Sequence, residues 1–199
     1  MGTIDDIQIQ EIVQRVLKQV MGLSQPASIP VKPASALDTA PTKEAQAGAR
    51  KIVVIGADHG GFELKETLKA DLSGMGLDVN DVGTYSKAAV DYPDYAHAVA
   101  KQVSSGKAWR GIMIDGAGIG SCIVANKIPG VRAGMAYDYS SAVNSREHND
   151  TNVLTLGAGL IGVNIAKLIV KTWLSTEFGG DRHNRRVEKI TLVEKLYLK

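Results

Sequence analysis

The sequence predicts an α/β protein whose core is a doubly wound, five-stranded parallel sheet with helices on both faces. From Lys51 onward, short apolar runs alternate with longer segments whose apolar residues recur at helical spacing. Apolar runs without a polar face are typical of parallel strands that are covered on both sides. The predicted strands are residues 51–57, 77–83, 111–114, 131–137 and 152–158. The predicted helices are residues 62–72, 94–104, 119–126, 140–147 and 163–175, followed by a helical tail at 182–199.

The first fifty residues differ in character from this domain, which we place at 51–199. Within residues 1–22, the stretch 4–21 carries one apolar stripe, which predicts an amphipathic helix. The stripe consists of Ile9, Ile12, Val13, Val16, Leu17 and Val20. Residues 23–50 are rich in Pro and Ala and have no hydrophobic period, which predicts a flexible linker.

Composition excludes several classes of protein. The net charge of +2 is too small to indicate nucleic acid or a membrane surface as a partner. The single cysteine, Cys122, rules out an internal disulfide framework and favours the cytoplasm. No apolar run approaches the ~20 residues of a membrane span. Cys and His residues show no zinc-binding spacing, so we expect no metal.

The stretch 110–120 concentrates the chemistry. A buried strand ends in Asp115, and glycines follow at positions 116, 118 and 120. A glycine loop that leads into a helix turns N–H groups outward and favours an anion or developing negative charge. Asp115 is then either a base beside that site or a carboxylate that caps nearby amides. The G-x-G-x-G spacing differs from the dinucleotide-binding G-x-G-x-x-G.

Polar residues also follow the other strands and helices. His59 and His148 each lie in a polar cluster. Each is either a structural histidine or one that acts in acid/base chemistry or phosphate binding. Arg182 and Arg186 form either a solvated charge run or a grip on phosphate.

Several motifs together resemble the type B ribose-5-phosphate isomerase family, which also contains galactose-6-phosphate and allose-6-phosphate isomerases. They are GADHGGFELKETL, VGTY, VDYPDYAHAVA, GIMIDGAGIGSCIVANKIPGVRAG, SREHNDTNVLTLGA and STEFGGDRHNRRV. The resemblance covers Lys51 to Ile190. It implies a Rossmann-like or flavodoxin-like fold and a cofactor-free aldose–ketose isomerase acting on a sugar phosphate. It also implies a homodimer or dimer of dimers in which a neighbouring subunit completes each site.

The same resemblance implies roles for individual residues. Asp58 and His59 would contact substrate, Tyr85 would lie near the sugar, and His148, with Asn149 beside it, would open the furanose ring. Arg182 and Arg186 would bind phosphate. The amides that would hold the enediolate oxygen belong to Gly116, Ala117, Gly118, Ile119 and Gly120.

The chain departs from the family pattern at its centre. Many members have C-G-T-G-I-G, in which Cys moves the proton, whereas here Asp115 and Ala117 replace the Cys and the hydroxyl residue. Other members carry Glu at the position of Ser121. We expect Asp115 to be the base of a ribose-5-phosphate isomerase. A hexose-6-phosphate isomerase and a catalytically lapsed sugar-phosphate binder remain the alternatives.

A short amphipathic helix and a Pro/Ala linker ahead of an enzyme domain also resemble the encapsulation peptides of bacterial microcompartment cargo. This resemblance implies that residues 4–21 bind a shell protein and that the enzyme lies inside a microcompartment. The alternative is that the helix packs on its own domain or pairs with its copy.

Overall fold

The structure, a computed structural model, describes residues 50–198. The predicted helix at 4–21 and nearly all of the predicted linker lie outside this range. The strands are β1 (Ile52–Ala57), β2 (Asp78–Asp81), β3 (Arg110–Asp115), β4 (Ala133–Met135) and β5 (Val153–Gly157). The helices are α1 (Phe62–Gly74), α2 (Tyr92–Ser104), α3 (Ile119–Ala125), α4 (Tyr139–Glu147), α5 (Val163–Ser175) and α6 (Asn184–Tyr197). A 3-10 turn at Asp181–His183 precedes α6.

The five strands form one parallel sheet in the order β2-β1-β3-β5-β4. Two hydrophobic clusters cover its faces. Val53 and Ile55 of β1 pack towards α1, α4 and α5. Val54, between them, packs on the other face with residues of α2 and α3. Successive side chains of a strand point to opposite faces, so the apolar runs fill both layers. This arrangement confirms the predicted doubly wound fold.

Strand β4 is shorter than predicted, three residues instead of seven. At the start of β4, side-chain oxygens accept hydrogen bonds from the backbone N–H groups. The Arg132 N–H donates to Asn152 Oδ1 (2.8 Å), and the Ala133 N–H donates to Asn126 Oδ1 (2.9 Å). The hydrophobic pattern continues beyond the segment that pairs with β5, and the pattern alone does not show where the ladder stops.

A crevice opens between the carboxyl ends of β1 and β3. The chain leaves β1 towards α1 on one face and leaves β3 towards α3 on the other, so the two loops diverge. The backbones approach closely here: a Cβ added to Gly61 would lie 2.4 Å from the Ile114 carbonyl oxygen. A Cβ on Gly60 would lie 3.5 Å from the Gly116 nitrogen. The glycines therefore let the Asp58–His59 loop lie directly against the Gly116 loop.

Helix α6 lies on the surface with none of its residues buried. Its apolar side chains form an exposed stripe of Ile190, Leu192, Val193, Leu196 and Tyr197. Glu194 ties the helix to the loop before β4 by accepting the Gly130 N–H at 2.8 Å. None of the helices between residues 50 and 198 has both the length and the apolar character needed to cross a bilayer.

Candidate active site

The Asp115 carboxylate lies inside the glycine loop that follows it, and the residue is only 4% exposed. Oδ1 accepts the N–H of Ala117 at 2.7 Å and the N–H of Gly118. Oδ2 accepts the Ser121 N–H at 3.2 Å and the Ser121 hydroxyl. A carboxylate offers about four lone-pair sites, so four donors saturate it. These hydrogen bonds show that Asp115 caps the amides of the loop, and its role as a base stays a prediction.

Three other amides of the loop remain available. The N–H groups of Gly116, Ile119 and Gly120 donate to no other group within residues 50–198. Gly118 has φ +78, a left-handed conformation that glycine adopts without strain and that redirects the chain into α3. A Cβ on Gly118 would also lie 2.9 Å from the Leu156 carbonyl carbon. The loop thus offers unoccupied donors beside a carboxylate at the crevice.

The loop after β1 forms the opposite wall of the crevice. Asp58 is nearly buried, and its Oδ1 accepts the Gly61 N–H at 3.0 Å, which closes the turn. His59 is exposed, and its Nδ1 lies 3.1 Å from the Val90 carbonyl oxygen and 3.2 Å from the Val90 nitrogen. Val90 belongs to the loop after β2, so His59 joins the loops after β1 and β2. Nε2 of His59 remains available to a ligand.

Tyr85 extends from the loop after β2 and is 72% exposed. Its hydroxyl donates to the Asp81 carbonyl oxygen at 3.0 Å, and the Lys65 ammonium lies 5.2 Å from its ring centroid. Lys65 is fully buried in α1 and pairs with Asp81 at 2.5 Å. Burial alone would raise the pKa of Asp81, but hydrogen bonds from Lys65 and Lys69 outweigh it and lower that pKa below its ordinary value. The ion pair anchors the base of the Tyr85 loop.

A second cluster surrounds the end of α4. His148 Nδ1 lies 2.8 Å from Asn144 Nδ2, a donor, so Nε2 carries the ring proton in the neutral tautomer. Asn149 follows directly, and its amide lies 3.3 Å from the Asn144 carbonyl oxygen. The imidazole of His148 stacks on that of His183, with ring centroids 4.3 Å apart and an interplanar angle of 8°.

His183 was not among the residues that the sequence singled out. Burial lowers the pKa of His183, and the neighbouring His148, Arg182 and Arg186 lower it further, so a neutral ring is favoured. Its Nδ1 is buried and has no hydrogen-bond partner among the described residues. The sequence offered one signal for His183, its position between two of the arginines in DRHNRRV. The stacking of its ring on His148 cannot be inferred from residue spacing.

Arg182 and Arg186 lie on the exposed surface beside this cluster. Arg182 Nε lies 3.3 Å from His183 Nε2. Neither arginine forms an ion pair with an acidic side chain in residues 50–198. Two uncompensated guanidinium groups on one surface are suited to binding a phosphate dianion.

The structure does not bring the two clusters together in one chain. Asp115 is the last residue of β3, and Asp58, His59 and Tyr85 follow the carboxyl ends of β1 and β2. Helix α4 returns from the carboxyl end of β4 to the amino end of β5. His148 therefore lies at the edge of the sheet formed by the amino ends of the strands, opposite the edge formed by their carboxyl ends. Arg132, just before β4, confirms this placement, because its Nε lies 3.2 Å from the Asn149 carbonyl oxygen. The carboxyl-end edge and the amino-end edge of the sheet are separated by the five residues of β5, roughly 16 Å at ~3.3 Å per residue.

A cavity of about 630 Å³ opens beside β4, the edge strand. Its lining includes Met135, Tyr137, Asn144, Asn149 and Ile190. Asn149 thereby connects the cavity to the His148 cluster, and Ile190 connects it to the apolar stripe of α6.

Comparison with known proteins identifies the family. Residues 53–190 match the family described as Ribose/Galactose Isomerase. The chain belongs to this family. Ribose-5-phosphate isomerase B of Escherichia coli K12 is 46% identical over 144 residues, which are 72% of this chain and 97% of that protein. D-erythrulose-4-phosphate isomerase of Pectobacterium atrosepticum is 42% identical over 144 residues, covering 71% of this chain and 94% of that protein.

A solved structure supports the assignment. Ribose-5-phosphate isomerase B of Clostridium thermocellum is 47% identical, with a TM-score of 0.72, and the match covers 73% of this chain and 99% of that one. These findings confirm the resemblance to the type B ribose-5-phosphate isomerase family, the Rossmann-like fold and the expectation of a sugar-phosphate isomerase. The roles of the individual site residues stay predictions.

Proposed function

We propose that the protein interconverts ribose 5-phosphate and ribulose 5-phosphate through an enediolate, with Asp115 as the base and His148 in ring opening. One observation carries the proposal: Asp115 and the free amides of its loop face the Asp58–His59 loop across the crevice between β1 and β3. That crevice is where doubly wound folds bind their ligands.

The proton transfer uses groups at this crevice. Asp115 takes the proton from the sugar carbon next to the carbonyl, and the C–H electron pair forms the enediolate double bond. The carbonyl oxygen becomes negative, and the amides of Gly116, Ile119 and Gly120 stabilise it. Asp115 then returns the proton to the neighbouring carbon, while the hydroxyl proton of the second oxygen passes to the first, negatively charged oxygen, and the electron pair of the second oxygen forms the new carbonyl group. No cofactor takes part.

The second cluster supplies ring opening and the phosphate grip from a second copy of the chain. Ribose 5-phosphate is cyclic, so a group must move protons between its ring oxygen and its anomeric hydroxyl before enolisation. His148, with Asn149 beside it, fills this role, while Arg182 and Arg186 bind the phosphate. Because these residues lie at the far edge of the sheet from Asp115, one chain cannot complete a site alone.

A homodimer resolves this separation. Each copy would place its His148 cluster against the Asp115 crevice of the other, giving two equivalent sites about a two-fold axis. The exposed apolar stripe of α6 supports such a contact, because surfaces of this kind mark interfaces. A dimer of dimers would extend the same arrangement.

Two other substrates stay in competition. The 42% identity to D-erythrulose-4-phosphate isomerase favours a four-carbon sugar phosphate as a second candidate. A hexose 6-phosphate is the other candidate substrate, because the family's description also names galactose isomerases. A catalytically lapsed binder is the remaining alternative, and the four donors that saturate Asp115 favour it.

The test compares the wild type with Asp115→Asn in initial-rate assays on ribose 5-phosphate, on erythrose 4-phosphate and on galactose and allose 6-phosphates. The preferred substrate is the one with the highest kcat/KM. Asp115→Asn should lower turnover roughly 10²–10⁴-fold, since the amide cannot accept the proton. Equal turnover in the two proteins rejects Asp115 as the base, and no turnover of any substrate by the wild type identifies a lapsed binder. Circular dichroism checks that the variant is folded.

The N-terminal segment is proposed to direct the enzyme to a microcompartment shell. Deleting residues 1–45 should leave kcat/KM unchanged and abolish association with shell proteins in a pull-down. Loss of the folded domain on deletion would contradict this role and would favour the helix packing on its own domain.

A further inference from the structure

Ser121 lies in the first turn of α3 and is fully buried. Its hydroxyl donates to Asp115 Oδ2, and its own N–H lies 3.2 Å from the same oxygen. We propose that Ser121 is the positioning residue for Asp115, a partner that donates to the carboxylate before proton transfer and accepts from the carboxylic acid after it. This inference rests on the proposed function, in which Asp115 carries the proton.

The chemistry of the four donors singles out Ser121. Ala117, Gly118 and Ser121 each contribute a backbone N–H, which can only donate. When Oδ2 takes a proton, it becomes a donor itself and needs an acceptor in a buried place. The Ser121 hydroxyl is the one partner among the four that can both donate and accept, and it does so by rotation about a single side-chain bond.

This reversal matches what the isomerisation requires of its base. The proton must stay on Asp115 between its removal from one carbon and its delivery to the next, and the carboxyl must not turn away in the meantime. Two backbone N–H groups hold Oδ1 throughout. Between the two transfers the Oδ2–H of the acid donates to the Ser121 oxygen, and it turns about the Cγ–Oδ2 bond to reach the sugar carbon, so the plane of the carboxyl group keeps one orientation.

The hydroxyl should also set the pH range of activity. A hydrogen bond to an ionised group is stronger than one to a neutral group, so Ser121 stabilises the carboxylate more than the acid. Removing the hydroxyl makes proton uptake by Asp115 easier. The acidic limb of the kcat/KM profile should therefore move to higher pH.

The experiment compares Ser121→Ala, Ser121→Thr and the neighbouring Cys122→Ala with the wild type, using full-length protein. Cys122 is a suitable control because its Sγ faces the Ala133 carbonyl oxygen on β4 and not Asp115. Ser121→Ala should lower kcat roughly tenfold with little change in KM and should move the acidic limb upward. Ser121→Thr, which keeps the hydroxyl, should restore both quantities, and Cys122→Ala should leave both unchanged.

A second measurement does not depend on turnover. In protein labelled with ¹³C-aspartate, the γ-carboxyl signal of Asp115 is the one that Asp115→Asn removes. Its titration midpoint should be higher in Ser121→Ala than in the wild type. An unchanged midpoint and kcat in a folded Ser121→Ala, or a folded Ser121→Thr that behaves like Ser121→Ala, would overturn the proposal. A wild type without isomerase activity refutes the proposed function, while the titration still decides the role of Ser121.

Discussion

At the residue scale, the proposed acid/base chemistry depends on the immediate partners of two side chains. Asp115 is surrounded by donors from its own loop, and His148 is oriented by Asn144 on one side and by the His183 ring on the other. With Nδ1 facing Asn144, Nε2 of His148 lies 3.9 Å from Glu147 Oε1, beyond hydrogen-bond distance, and can reach a ligand. In the proposed mechanism the two side chains have separate tasks, Asp115 moving the carbon-bound proton and His148 serving the ring oxygen.

The proposed task of His148 predicts a dependence on substrate size. Ribose 5-phosphate must be opened, whereas erythrose 4-phosphate cannot form a furanose because its 4-oxygen carries the phosphate. His148→Gln should therefore lower kcat/KM for ribose 5-phosphate roughly 10²-fold or more, and far less for erythrose 4-phosphate if the wild type accepts it. Initial rates in the aldose-to-ketose direction measure both.

His97→Gln is the matched control, since His97 is exposed on α2 and belongs to neither cluster. An equal loss on the two substrates would show that His148 acts in a step common to both. A loss on neither would show that ring opening does not need this imidazole.

At the element scale, local patterns predicted most helices and strands because apolar periodicity is itself local. Contacts between elements could not be predicted in this way. Helix α1 was predicted as amphipathic, yet it carries a fully buried lysine. Besides the adjacent Glu66, Lys65 pairs with Asp81, sixteen residues later on β2, and only the parallel pairing of β1 with β2 brings Lys65 and Asp81 together.

The Lys65–Asp81 pair predicts a stability difference between two lysines of α1. Lys65→Met leaves the part-buried Asp81 with Lys69 alone, so the cost should fall at the low end of the ~3–5 kcal/mol for removing one partner of a buried pair. Lys69→Met removes a partly exposed partner and should cost about 1 kcal/mol or less. Urea unfolding monitored by circular dichroism measures both, and equal costs would contradict the structural role of the buried pair.

At the scale of the whole molecule, the candidate site is divided between the two edges of the sheet. The sequence identified Asp58, His59, Asp115, His148 and the arginines individually, as polar residues at the ends of elements. The sequence did not show at which edge of the sheet each residue lies. A polar residue indicates that a strand or helix ends there, but not which edge of the sheet that end belongs to. The separation follows from topology: a helix that connects two parallel strands runs back to the amino edge, so residues after α4 lie opposite those after β3.

This division predicts that two inactive variants restore activity when their subunits are mixed. Asp115→Asn lacks the base, and His148→Gln lacks the ring-opening group, so each homodimer should be inactive on ribose 5-phosphate. If each site takes Asp115 from one copy and His148 from the other, a mixed dimer contains one site with both defects and one intact site. Random exchange should then restore about a quarter of the wild-type activity, because half of the dimers are mixed and half of their sites are intact.

The measurement mixes equal amounts of the two purified variants, exchanges subunits by mild denaturation and refolding, and follows ribose 5-phosphate turnover. A mixture with Asp115→Asn and Asp58→Asn is the matched control, since both residues lie at the same edge of the sheet. In that pair every site of a mixed dimer keeps one defect, so no activity should return. Failure of the Asp115→Asn and His148→Gln mixture to recover, with exchange verified by mass spectrometry of the intact dimers, would mean that the two clusters do not share a site.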